Sequence, residues 1–164
     1  LPPFDLLKID IQGAEKLAFQ GARRGLMNAV AVIVEQRYLR LYIDEPMLGE
    51  TDSELLRQGF GLHKFIFNKS RMLLHSQEKR VRRRHMLDQL IDGDAVYLRN
   101  IAEPERLSDD QLKHLAILGC SVFHSHSLVL YCLDQLVGRK AADPDLPGRY
   151  VDALPPHLQR REEE

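Results

Sequence analysis

With 164 residues, 44% of them hydrophobic, the chain is long enough for one core and short of what two would need. Its 23 Lys and Arg against 24 Asp and Glu leave a formal net charge of -1, which gives no global electrostatic reason to expect nucleic acid or a membrane surface as partner; any basic site must be local. Cys120 and Cys132 are too few and too plainly spaced for a disulfide framework, no uncharged run approaches the roughly 20 residues that span a bilayer, and a cytoplasmic, reducing setting is expected. The start at Leu1-Pro2-Pro3, without Met, reads as excision from something longer or as a processed start.

The first element is the apolar run Leu6 to Ile11, which stops at Asp10-Ile11-Gln12-Gly13 and turns helical. Ala14, Leu17, Ala18 and Leu26 mark that helical segment, with Gly21 and Gly25 as interruptions or caps. A second apolar run, Ala29 to Val34, ends at Glu35-Gln36. The first run is nearly continuous and the second continuous; runs like these suit parallel strands covered on both faces, and the spacing fits a strand-helix-strand crossover. Ligands of such sheets sit outside the carboxyl ends of the strands, so Asp10 and Gln12 stand at a crevice edge. Residues 37–46 read as a long loop bearing Tyr38 and Tyr42, and Thr51-Asp52-Ser53-Glu54 offers N-capping chemistry for a helix that runs through Gln58 and ends at Gly59.

Two more strands are predicted over Gly61 to Phe67 and Asp94 to Arg99. Their connection carries Lys79-Arg80-Val81-Arg82-Arg83-Arg84-His85, which is either an anion-binding run or a solvated arm; no aromatic residues are interleaved to stack on bases. Ser108-Asp109-Asp110-Gln111 caps a helix, and Val122 to Val137 gives a second apolar helix ending at Gly138. The fold class is therefore α/β, with strands and helices over 1–100, a helical hairpin over 101–140 packed on the sheet, and a proline-bearing, mostly irregular tail over 141–164.

Asp5-Leu6-Leu7-Lys8-Ile9-Asp10, then Gly13-Ala14-Glu15, Gly21-Ala22, the strand ending at Glu35, and Gly59-Phe60 occur in the order found in FkbM-type S-adenosylmethionine-dependent methyltransferases. The segment from Asp5 to about Phe67 resembles the carboxyl-terminal half of that domain, with Gln12 standing where the family often has Glu. The resemblance implies a partial class I methyltransferase (Rossmann-like) sheet, mixed, with an antiparallel last strand; the four predicted strands would be its fourth to seventh. It also implies O-methylation of a small-molecule acceptor, such as a sugar or polyketide hydroxyl. The family's glycine-rich cofactor loop would lie upstream of Leu1, and no Gly-x-Gly follows an apolar strand in this sequence. Weak or absent cofactor binding, and no activity, are expected of the isolated chain.

Methyl transfer to an alcohol needs an aligned acceptor oxygen and help in losing its proton. The candidate catalytic residues are Asp10 and Glu35, and Asp10 and Gln12 are the candidate cofactor contacts. Asp10 would orient or deprotonate the acceptor, or ligate a divalent ion, or else cap the following helix. Glu15 and Tyr38 are the candidate substrate contacts, although an acid in the first helical turn is also expected on dipole grounds. No protein metal site is expected, because His124 and His126, two apart on a helix, point to different faces. Lys8, inside an apolar strand, must be paired or at the rim. The competing reading is a noncatalytic interaction module using the hairpin or the open sheet edge, with self-association through the Leu6 to Ile11 strand.

Overall fold

The computed structural model describes residues 3–160, and the chain divides into two compact units, residues 1–101 and 102–164. In the first unit, β1 (Leu6–Ile9) leads through α1 (Glu15–Gly21) and α2 (Arg23–Leu26) to β2 (Ala31–Arg37). The two strands are parallel, with Leu6 opposite Ala31 and Ile9 opposite Val34. The expected crossover is thus present, its helix broken in two at Ala22. Next come α3 (Leu48–Arg57), β3 (Phe60–Arg71) and β4 (Gln89–Arg99). The sheet order is β1-β2-β4-β3, and β4 runs antiparallel to both neighbours. The last strand is therefore inserted between β2 and β3, giving the open mixed sheet of a partial Rossmann-like fold.

Alternation along the strands builds the core. Val32 and Val34 of β2 and Ala95 and Tyr97 of β4 lie on one face with Phe19, Leu26, Ala29, Leu55 and Phe60, all essentially buried. Ala31 to Val34 are buried without a break, which is why this run lacks polar alternation. Two polar groups tie the helices to this core. Glu54, fully buried, accepts hydrogen bonds from Gln20, Arg23, Arg57 and Gln58 and so joins α1 and α2 to α3. Arg99 stacks its guanidinium 4.0 Å over the Phe60 ring and donates to the carbonyls of Leu26, Ala29 and Gln58, satisfying groups that helix ends leave without partners. Arg99→Ala is expected to cost about 2–4 kcal/mol in urea unfolding, and Arg99→Lys to recover little, because an ammonium cannot fork across three carbonyls.

Several expected boundaries shift. β1 ends at Ile9 rather than Ile11, since the next residues turn and Gln12 takes a φ of 57°. Helix α3 starts at Leu48, not at Thr51: Glu50 reaches back to accept the Met47 N–H at 3.2 Å, so the capping acid lies earlier and Thr51 and Glu54 are buried inside the helix. β3 and β4 extend four or five residues farther than their apolar patterns, because Asn68 to Arg71 and Gln89 to Gly93 continue the ladder as a polar ribbon. β1 is a four-residue edge strand with an exposed Lys8, two features that blunt edge pairing.

In the second unit, α4 (Asp109–Ser121) carries the predicted capping box: Ser108 Oγ accepts from the Gln111 N–H at 3.1 Å, and Gln111 Oε1 accepts from the Ser108 N–H at 2.9 Å. Helix α5 (His126–Gly138) begins four residues later than its apolar run, because Val122 closes α4 and His124 takes a φ of 49°. The stretch expected to be irregular holds a short helix, α6 (Leu146–Asp152), whose Tyr150 hydroxyl meets His126 Nδ1 at 2.8 Å. The tail's last residues, 161–164, lie outside the described ones. Among the described residues, no helix is long and apolar enough to cross a membrane.

Candidate active site

The carboxyl ends of β1 and β2 bring Asp10, Gln12 and Glu35 together. Gln12 Nε2 donates to Asp10 Oδ1 at 3.0 Å and to Glu35 Oε2 at 3.4 Å, while its Oε1 accepts from Arg37 at 2.9 Å. An amide does here what a carboxylate could not, since a Glu at this position would bring a third negative charge and no donor. Gln12 reaches the pair from a left-handed backbone, a conformation that costs a non-glycine residue on the order of 1 kcal/mol and is held by the surrounding loop. Glu15 does the holding. It is buried, and its two carboxylate oxygens accept from the N–H groups of Ile11 at 2.9 Å and Gly13 at 3.0 Å. Expected from sequence at the substrate, Glu15 is committed instead to shaping the loop that presents Asp10 and Gln12. Asp10 does not cap α1, whose N-cap, Ala14, makes no side-chain cap bond; Asp10 is exposed just beyond the end of β1.

Arg37 organises the floor. Its guanidinium meets Glu45 at 2.6 Å, Glu35 at 2.9 Å and Asp92 at 3.1 Å, with only 7% of its side chain exposed. Burial works against that cation, and the Glu45, Glu35 and Asp92 carboxylates outweigh it, holding its pKa above the ordinary arginine value. Burial alone would raise the Glu45 carboxyl; the N–H groups of Leu41 and Tyr42, with Arg37, bring it below its usual value and gather the loop around it. Glu35 goes the other way. Desolvation pushes its pKa up to about 7; Arg37 opposes the rise, and the charge of Asp10, a hydrogen bond with Asp10 and the charge of Asp92 add to it. The result is a carboxyl that changes its protonation state near neutrality, beside a second carboxylate.

Tyr38, expected from sequence at the substrate, stands on the other face of the sheet, on the Cβ side of Gly93. Its hydroxyl donates to Asn68 Oδ1 at 2.5 Å and its ring meets Phe65 edge-on at 5.8 Å. Burial and then the charges of Asp92 and Asp94 push its phenol up to about 12, so it stays a neutral donor. Gly93 makes room for it, opposite Gln36 on β2 and Asn68 on β3. A Cβ at this glycine would collide with the Phe67 carbonyl and come within 2.7 Å of Asn68 Oδ1 and 2.8 Å of the Tyr38 hydroxyl. Gly93→Ala is therefore expected to displace Tyr38 and cost about 1–3 kcal/mol, read by chemical denaturation together with the loss of the Tyr38 fluorescence environment. Lys8, which the sequence required to be paired or at the rim, is both: its ammonium is 3.3 Å from Asp94. Among the described residues no group of three or more His, Cys, Asp or Glu could hold a metal ion.

This geometry, a crossover loop presenting an acid and an amide at the head of two parallel strands, sits inside a recognisable stretch. Residues 1–62 match the methyltransferase FkbM domain. The match carries a methyltransferase-type function for that segment, in agreement with the resemblance read from its motifs. Comparison with curated proteins gave no match, and neither did comparison with solved structures. The FkbM-matched segment contains Asp10, Gln12, Glu35, Arg37, Tyr38 and Glu45, whereas Asn68, Asp92, Gly93 and Asp94 lie beyond it. Sequence reasoning missed Arg37, Glu45 and Asp92. A signal for the first was present: Glu35 and Arg37 are two apart on one strand and share a face, as do Asp92 and Asp94 on the facing strand.

Proposed function

We propose that residues 1–101 are the acceptor-side half of an S-adenosylmethionine-dependent O-methyltransferase acting on a hydroxyl of a small metabolite or sugar, with Glu35 as general base. The observation that carries this reading is the convergence of Asp10, Gln12 and Glu35 beyond β1 and near the carboxyl end of β2, where burial pushes the Glu35 carboxyl up to about 7. A base is most effective when its pKa lies close to the working pH. The cofactor supplies an electrophilic methyl group on a sulfonium. Asp10 and Gln12 would hold its polar flank: both are exposed beyond the carboxyl end of β1, with the Gln12 amide already fixed by Arg37. Glu35 would accept the hydroxyl's hydrogen bond and take its one proton as the oxygen–carbon bond forms and the methyl–sulfur bond breaks, while Asp10 would hold a neighbouring polar group of the acceptor.

The glycine-rich loop belongs to no strand end within these 164 residues, so the isolated chain should give no calorimetric signal with S-adenosylmethionine at micromolar concentrations. In protein expressed from the full coding sequence, methyl transfer from labelled S-adenosylmethionine to a hydroxylated acceptor pool should occur and fall about 10–100-fold in Asp10→Asn. Unchanged transfer in that variant would overturn the assignment.

A further inference from the structure

We propose that the arm joining β3 to β4, residues 72–88, docks this protein on an anionic lipid surface. The arm leaves the sheet at the last rung, Arg71 opposite Gln89. On the two chains that depart from that rung, Leu73 and Leu74 are 62% and 81% exposed, and Met86 and Leu87 are 37% and 48% exposed. Large apolar side chains clustered in sequence and register, all facing water, cost free energy unless something covers them. Between them lie Lys79, Arg80, Arg82, Arg83 and Arg84, opposed over the same arm only by Glu78 and Asp88, so five minus two leaves a local charge of +3 in a chain whose total is -1. All five cations are exposed, and among the described residues none makes an ion pair; Arg80 donates only to Gln77, at 3.0 Å. This is the composition of a surface-seeking segment: cations that seek anionic headgroups and short apolar side chains that enter the acyl boundary.

The other occupants fit less well. A nucleic acid would use the cations, but the arm has no aromatic residue to stack on a base, and its exposed Leu and Met would gain nothing there. A second copy of the arm would meet charge of its own sign. The overall near-neutrality that gave no expectation of a membrane partner hides this local imbalance.

The test is flotation of the chain with vesicles of phosphatidylcholine alone or mixed with phosphatidylglycerol. Binding to the mixed vesicles is expected to be at least about tenfold tighter than to the neutral ones, and to weaken with added salt. Arg82→Glu/Arg83→Glu/Arg84→Glu should abolish that preference, and Leu73→Ser/Leu74→Ser should weaken binding about tenfold. Every substituted residue is exposed, and circular dichroism would verify folding. Equal affinity for both vesicles, or full retention of binding in the charge-reversed variant, would overturn the proposal. So would tighter binding to duplex RNA that is indifferent to the leucine substitutions, which would assign the arm to nucleic acid instead.

Discussion

Replacing Arg37 with Ala should destabilise the 1–101 unit by about 3–5 kcal/mol, the largest single-site loss expected in this molecule. The reason is what remains rather than what is removed. Glu35, Glu45 and Asp92 all converge on one guanidinium, and the side chains of Glu45 and Asp92 are 0% and 7% exposed. Without the cation, the Glu45 and Asp92 carboxylates are left unpaired away from water, Glu45 loses one of the groups that hold its pKa down, and Glu35 loses the charge that opposes the rise of its own. The loss should shrink on acidification, because those carboxylates can then take up protons. Urea unfolding at pH 7 and at pH 5 would show both effects. Arg37→Lys should recover part of the stability, since it restores the charge but not the fork that reaches three acids and Gln12 together. A loss below about 1 kcal/mol at pH 7 would mean that the network is solvated and is not the floor of the site.

The second large effect is chemical. In protein expressed from the full coding sequence, Glu35→Gln should lower methyl transfer by about 10²–10⁴-fold and remove the acidic limb of the pH–rate profile, the limb that otherwise falls away below about pH 7. The same group also makes stability depend on pH. Its folded pKa, about 7, lies above its ordinary value of 4.5, so between those two values the folded protein keeps a proton that the unfolded chain has released. The stabilisation from that proton is fully present below about pH 4.5 and is lost as pH rises through 7. Glu35→Gln removes this slope. Denaturation midpoints across pH 5 to 8 should therefore decline less in the variant than in the parent, a readout that does not depend on knowing the acceptor.

The fold of the first unit was readable because its strands are pattern-pure. Leu6 to Ile9 is apolar but for Lys8, Ala31 to Val34 is apolar without interruption, and a crossover of helical periodicity separates them, leaving little choice but a parallel pair. Boundaries failed where a polar residue carries a structural bond: Glu50 moves the start of α3 upstream, and the polar residues 68–71 continue a ladder that looks like a loop. At the site, Asp10, Gln12 and Glu35 were legible as strand-end residues, and they meet. Glu15 was legible only as an acid after a glycine; its two bonds to the loop backbone are a property of folded geometry. Arg37, Glu45 and Asp92 come from three separate stretches, and nothing in a linear pattern announces that one guanidinium will gather three carboxylates.

The central claim is that Glu35 holds its proton to near neutrality beside Asp10. Carbon-detected NMR titration of the side-chain carboxyl groups in the chain measures it directly. One carboxyl resonance should inflect near pH 7 and vanish from the titration set in Glu35→Gln. If that resonance instead inflects near the ordinary carboxylate value of 4.5, Glu35 is a spectator anion paired with Arg37, and the general-base account fails.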